Sequence, residues 1–369
     1  MKIWKWIGIV AAGIAAVLAV VWLCLGDKIS LLCTSFNSFQ EENLAYTFQH
    51  TPEIQPTVTI GKSEQAFSFL QGEPAALADG FYFDGAFYDT DAFMTETKTS
   101  AMLVIQDDVI RYENYFFGGD ENTVFVSNSM GKSFVSALMG IAAAEGYIDS
   151  VEDPLGKYIP EFVGTELENI PIKACLQMAS GIDFDEDTDM SGYSLRTLLG
   201  TPAMKLIARC GVQEAPYTYR RYLSINTDIL GQILKNTTGQ GLGAYMEEKL
   251  WKKIGAEHDA YWTLSNGSEL ANGGLSISLR DYARFARLYL KEGNYNGKQI
   301  CVPGMGRRVR QVRKGEPQRS ERRWQSGRAD ERDLAIGKTE NKILSTGQFF
   351  QKGQKRRNRE NWTGKKLVI

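Results

Sequence analysis

An uncharged run from Ile7 to Leu25 leaves the amino end of this chain one way to fold. It has no polar face, so outside water its backbone groups must be satisfied within a helix. Nineteen residues at 1.5 Å rise give roughly 28 Å, close to the ~30 Å hydrocarbon core of a bilayer. A cleaved secretion signal has a shorter apolar region and a small-x-small cleavage site. Val21-Trp22-Leu23-Cys24-Leu25 offers no such site, and Cys24 lacks the small residues that precede a lipidated cysteine. Residues 1–26 therefore read as an uncleaved transmembrane signal anchor. Lys2 and Lys5 before the run, with Asp27 and Lys28 after it, favour a cytoplasmic amino terminus and an extracytoplasmic body, periplasmic or extracellular. Residues 27–60 have weak periodicity and scattered Ser, Asn, Gln and Pro, and read as a spacer.

The rest of the chain is globular in composition. Hydrophobic residues make up 43% and charged residues 23% of the 369, which excludes a collagen, a coiled-coil rod and a wholly disordered chain. The length suits one large domain or two ordinary ones. Five cysteines without a C-x-x-C pair exclude a disulfide framework and give no sign of zinc. The two histidines, His50 and His258, exclude a His-rich metal site and leave a Ser-His-Asp triad only two candidate bases. Charge is unevenly divided. Residues 305–369 hold 19 Lys or Arg against 7 Asp or Glu, whereas the remainder holds 23 basic and 37 acidic residues. An acidic body with a basic tail is best read as two separate parts.

Within the body, Ala101–Gln106 and Val109–Phe117 are β-rich runs around the acidic pair Asp107-Asp108, the pattern of a hairpin. Val124–Val126 is a further short strand. Ser129-Met130-Gly131-Lys132 then opens an apolar helical stretch to Glu145, ended by Gly146. A helix beginning at Ser129 puts Lys132 one turn on, along the same face. A serine hydroxyl is a poor nucleophile until a base takes its proton, and a lysine three residues along can reach it. The helix amino end also favours a developing oxyanion. Alone, the tetrapeptide is equally a helix cap followed by a solvated lysine.

The surrounding segments decide between these. VFVSNSMGKSFVSALMG and its continuation to Phe162 resemble the serine β-lactamase and penicillin-recognising superfamily. So do LQMASGIDF (Leu176–Phe184), YLSINTDILG (Tyr222–Gly231) and GGLSISLRDYARFARLYL (Gly273–Leu290), in the family's order. The wording is most similar to 6-aminohexanoate-dimer hydrolases, which share a fold with class C β-lactamases, and the resemblance spans about residues 95–303. It implies an α+β fold: an antiparallel sheet flanked by helices, with a mainly helical insertion at about 146–265 in a hydrolase domain of 61–303. It implies Ser129 as the acylated nucleophile, Lys132 as its base, and Tyr222 as the group that shuttles a proton to or from the leaving group. Ser224 falls where many relatives carry Asn and is implied as a substrate contact. The expected activity is a membrane-anchored serine hydrolase acting by acyl transfer on a small-molecule amide or ester. No metal or cofactor and no nucleic-acid partner are expected.

Other residues have plainer readings. His258, between Glu257 and Asp259, reads as a structural loop residue. Trp262 and Tyr193 read as core more readily than as cleft lining. Arg280-Asp281 begins an amphipathic stretch with Tyr282, Phe285, Leu288 and Tyr289 at helical spacing. Cys175 and Cys210 are a possible pair outside the cytoplasm or two ordinary buried thiols.

The family-like text stops near Ile300. In the family, the region beyond it supplies the last strands of the sheet and a third motif, a Lys or His followed by a small residue and Gly, which donates one oxyanion N–H. Neither Lys-Thr-Gly nor His-x-Gly occurs; Ser345-Thr346-Gly347 is the nearest substitute, with Gly347 as the candidate substrate contact, and Lys365–Ile369 faintly resembles the final strand. Residues 304–369 thus fit three readings: a frame-shifted sequence, a basic appendage for anionic lipid or polymer, or diverged strands. Without the third motif, a catalytically silent penicillin-binding-like protein, a defective product and an interaction protein with a vestigial pocket stay open beside the hydrolase.

Overall fold

The computed structural model describes residues 2–38, 40–83, 85–301 and 366–368. Gly347 and residues 302–365 of the basic tail lie outside the described residues. The chain divides into two units, Met1–Thr47 and Phe48–Ile369.

The first unit is dominated by α1 (Lys2–Ser38), 37 residues long, which contains the uncharged run. Trp6, Val10, Ile14, Val17, Val20 and Leu23 are exposed along it. Counting only described residues, no helix is long and apolar enough to cross a membrane. Six side chains of the Ile7–Leu25 run fall outside that description, and a membrane span is not shown. Residues 27–60, read as a spacer, are largely regular: α1 continues to Ser38, α2 runs Leu44–Ile54, and Thr57–Ile60 is a strand, β1. The weak periodicity of this stretch concealed a strand that needs only one buried residue, Ile60.

The second unit continues with a hairpin, β2 (Gly80–Phe83) and β3 (Ala86–Asp89), and a short helix, α3 (Thr90–Glu96). Then β4 (Ala101–Gln106) and β5 (Val109–Tyr115) form the expected hairpin. Asp107 and Asp108 take φ of +53° and +65°, the left-handed pair that a tight hairpin turn requires. Leu103, Ile105 and Ile110 bury one face of the pair. After β6 (Val124–Val126) comes α4 (Gly131–Ala144). Its apolar face, Phe134, Val135, Leu138, Ile141 and Ala142, is buried. Gly146 ends it at φ +81°, with Gly146 N–H donating to Ala143 O and Tyr147 N–H to Ala142 O, the glycine closure of a helix C-terminus.

Among the described residues, 146–259 hold helices, turns and two isolated β-bridges. The longer helices there are α5 (Met190–Leu198) and α6 (Ser224–Thr238). The last six residues of the expected insertion are instead a strand, β7 (Ala260–Ser265), followed by β8 (Leu275–Ser278) and α7 (Leu279–Leu290). One sheet has the order β1-β7-β8-β6, antiparallel throughout, with Ser268–Glu269 paired to β7. The second pairs β4 with β5, and adds Leu70–Gln71 beside β5 and β9 (Lys366–Val368) beside β4. Lys366–Val368 lies at one end of this second sheet, antiparallel to β4.

The core includes the packing of α4 on α6 and the contact of α4 with α7 through Phe134 with Phe285 and Tyr289 OH with Ser133 O. Phe134 and Phe285 stack with ring centroids 3.6 Å apart, and both are buried. Ser278 caps α7, its hydroxyl accepting from Asp281 N–H. Trp262 is fully buried, its indole N–H shared between Leu270 O and Gly273 O. Cys175 and Cys210 are both free thiols, which settles them as unpaired. Burial pushes the Cys175 thiol up to about 12.

Candidate active site

Ser129 lies in a 3₁₀ turn, Asn128–Met130, and α4 itself starts two residues later at Gly131. The serine is thus just ahead of the helix, not its first residue. Asn128 holds φ +44°, a left-handed conformation that is strained for a side-chain-bearing residue. It is over-determined by close packing. A methyl added to Gly273 would lie 3.1 Å from Asn128 O, and one added to Gly131 would lie 2.9 Å from Ser127 Oγ. Two glycines therefore let the β8 approach come against the serine turn.

Lys132 Nζ donates to Ser129 Oγ at 3.0 Å and to the backbone carbonyl of Asn272 at 2.5 Å. The lysine is held between the serine and the turn that precedes Gly273. As an amine it would keep an N–H for the carbonyl and offer its lone pair to the serine proton, so the geometry suits general-base work. Tyr222 presents its ring to the same nitrogen, 5.2 Å from Nζ to the centroid, within cation–π range. Tyr222 is 42% exposed. Ser129, Lys132 and Tyr222, which are 93 residues apart at their extremes, are brought together.

Ser224 has a different setting. Its N–H donates to Glu186 Oε2 at 2.7 Å and its hydroxyl to Glu186 Oε1. Glu186 therefore sits over the amino end of α6, where a carboxylate satisfies free N–H groups and the helix dipole. Ser224 is 4% exposed, and its hydroxyl is committed to that carboxylate. Gly347, the other candidate substrate contact, lies outside the described residues.

The sequence reading missed Asn272, Asp228 and Glu186. Asn272 Nδ2 and Tyr193 OH both donate to Asp228 Oδ2, at 2.9 and 2.8 Å. Asp228 retains some accessible surface, but its carboxyl is packed among protein groups. Burial raises it to about 6, against the pull of Tyr193, Asn272 and Lys132. Tyr193 is buried at 9% exposure, as its plainer reading expected, with its hydroxyl on Asp228. The one available signal was Asn-Gly-Gly before a strand, a turn tight enough to aim a carbonyl at a neighbour.

His258 is structural. Its N–H and that of Glu257 donate to the Asp281 carboxylate, at 3.0 and 2.9 Å, and Asp281 also receives Ser278 Oγ and Arg284 Nη1. Among the described residues, no group of three or more His, Cys, Asp or Glu could hold a metal ion.

The beta-lactamase family profile matches residues 90–339, running past the point where the sequence resemblance stops. A 6-aminohexanoate-dimer hydrolase of Paenarthrobacter ureafaciens is 26% identical over 284 residues, covering 73% of this chain and 71% of that protein. A beta-lactamase of Pseudomonas fluorescens is 26% identical over 169 residues, 43% of this chain and 44% of that one. A solved Bacillus anthracis protein, provisionally assigned as a 6-aminohexanoate-dimer hydrolase, superposes with TM-score 0.68 at 24% identity, over 76% of this chain and 77% of that one. The α+β architecture is shared with that solved protein, and the chain belongs to the beta-lactamase family of serine hydrolases.

Proposed function

We propose that this protein hydrolyses linear amides or esters through an acyl-enzyme on Ser129. The observation that carries the reading is the 3.0 Å contact between Lys132 Nζ and Ser129 Oγ, with Tyr222 beside the same nitrogen. Lys132, as the free amine, takes the hydroxyl proton while Oγ bonds to the substrate carbonyl carbon. The tetrahedral oxyanion develops just ahead of α4, where the helix dipole favours negative charge. Tyr222 passes a proton to the leaving amine or alkoxide as its bond to carbon breaks. Water then adds to the acyl carbon, gives up its proton through the same pair, and releases Ser129 with the carboxylic acid product. The chain's likeness to a 6-aminohexanoate-dimer hydrolase favours short amino-acid-like oligomers joined by unstrained amides, with simple esters as the more reactive surrogates.

A membrane anchor belongs to the same reading. It is supported by the uncharged Ile7–Leu25 run lying inside one continuous helix from Lys2 to Ser38. With Lys2 and Lys5 ahead of the run, the hydrolase unit faces the extracytoplasmic side.

The test uses the full-length chain in mild detergent. Release of amine from the linear 6-aminohexanoate dimer and of nitrophenol from a short-chain nitrophenyl ester is followed beside Ser129→Ala. Turnover that disappears in Ser129→Ala supports the proposal. Turnover that survives in that variant, or a folded wild type inert toward both probes, overturns it.

A further inference from the structure

We propose that Asp228 is a positioning residue for acyl transfer: it grips Asn272 so that the Asn272 carbonyl holds Lys132 against Ser129, and its negative charge steadies the ammonium that Lys132 becomes. The proposal rests on the reading of Ser129 and Lys132 as nucleophile and base.

The chain of contacts is continuous. Asp228 Oδ2 accepts from Asn272 Nδ2 at 2.9 Å and from Tyr193 OH at 2.8 Å. The backbone N–H of Asn272 also bonds to the carboxylate. Asn272 is therefore held by both its side chain and its main chain, and its carbonyl lies 2.5 Å from Lys132 Nζ. A residue on α6, one turn past Ser224, thus reaches the base on α4 through a single turn residue. No substrate contact is required of it.

The charge logic follows the proton. When Lys132 takes the Ser129 proton, a neutral amine becomes an ammonium in a partly desolvated site. A carboxylate two hydrogen bonds away favours that state: a positive charge on Lys132 pulls the Asp228 carboxyl down, and by the same coupling the carboxylate stabilises that charge. The groups bearing on Asp228 are Tyr193 from α5, Lys132 from α4 and the uncharged Asn272 from the turn before β8. Burial is the largest influence and lifts the carboxyl to about 6; the Tyr193 hydrogen bond pulls the other way. Below that pH the carboxyl is neutral and the support for the ammonium is lost.

The experiment measures kcat and KM for the nitrophenyl ester from pH 4.5 to 9, on the full-length chain, for wild type, Asp228→Asn, Tyr193→Phe and Ser129→Ala. The expected wild-type profile has an inflection near pH 6, from Asp228. Asp228→Asn loses that inflection and about ten- to hundredfold in kcat above it, the scale of one charge-assisted hydrogen bond, with KM little changed. Tyr193→Phe keeps the inflection but moves it to higher pH, because the carboxylate loses a donor. If Asp228→Asn does not fold, the Tyr193→Phe shift decides the matter alone. An inflection that stays in place in Tyr193→Phe, or that persists in Asp228→Asn, overturns the proposal. Unchanged turnover in Ser129→Ala instead overturns the underlying reading, and the two failures are told apart in the same data set.

Discussion

Lys132 Nζ lies 3.0 Å from Ser129 Oγ although the serine precedes α4 and the lysine belongs to it. A 3₁₀ turn joined directly to an α-helix keeps the two on one face, so the base is locked to the nucleophile by local backbone geometry. What is not local is the other half of the lysine's support, the Asn272 carbonyl 140 residues away. The site therefore depends on α4 and on the turn before β8 staying in register.

Replacing the base should be nearly as damaging as replacing the nucleophile. Lys132→Met is expected to lower kcat by about 10²–10⁴-fold, the usual range for one positioned general base. The apolar stem is retained, so thermal unfolding should move little. Rapid-mixing kinetics on the nitrophenyl ester checks this: the acylation burst should slow along with steady-state turnover, whereas a normal burst would place the defect in deacylation.

Gly273→Ala tests the packing that supports the strained turn. The new methyl would lie 3.1 Å from Asn128 O and 3.4 Å from its carbonyl carbon. The residue before the nucleophile must then shift by a few tenths of an ångström. About tenfold loss of kcat is expected, less than the ~100-fold that a full ångström of misplacement costs. Wild-type kcat in a folded Gly273→Ala would mean that the turn tolerates the shift.

Core packing behind the base predicts a stability effect. Phe134 is two residues beyond Lys132, has no exposed surface and stacks on Phe285. Phe134→Ala should cost about 3–5 kcal/mol, read from urea unfolding of the full-length chain. A loss below about 1 kcal/mol would show that α7 collapses into the space.

Stability should also pass through a maximum on the acid side of neutrality. The Arg287 hydrogen bond holds the Asp108 carboxyl below its ordinary 3.8. Asp281 is likewise held low: burial alone would raise it, but His258 and Arg284 outweigh that. Carboxyls depressed in the folded state give stability that is present above their ordinary range and lost as pH falls through the lower folded values. Asp228, raised by burial to about 6, acts oppositely. Between about pH 4 and 6 the folded state binds its proton more tightly than the unfolded chain, so stability falls as pH rises across that window. Urea midpoints should rise from pH 7 to pH 5 and drop below pH 4, and Asp228→Asn should flatten the first slope. A midpoint that falls steadily from pH 7 downwards would contradict this assignment.

Much of this was legible in the residues. The Asp107-Asp108 turn, the strand at Val124–Val126 and the glycine end of α4 are local signals, and each forms as its local chemistry dictates. Ser129 and Lys132 are three apart, so one helical turn settles their meeting. Tyr222 was placed by resemblance and then by its ring against Lys132. Asn272, Glu186 and Asp228 were not legible, because their roles come from contacts with residues 35 to 140 positions away, which no periodicity records. Ser224 shows the reverse case: a motif position whose hydroxyl has been taken by a carboxylate, Glu186, that the motif does not mention. Thr57–Ile60 escaped notice because a four-residue strand with one buried side chain leaves no alternation to read.

The most direct measurement is the mass of the full-length protein trapped during turnover of the nitrophenyl ester, followed by peptide mapping. The account predicts one added acyl group, on the peptide containing Ser129, that disappears on longer incubation and never forms in Ser129→Ala. Acylation at another residue, or undiminished turnover in Ser129→Ala, would contradict it.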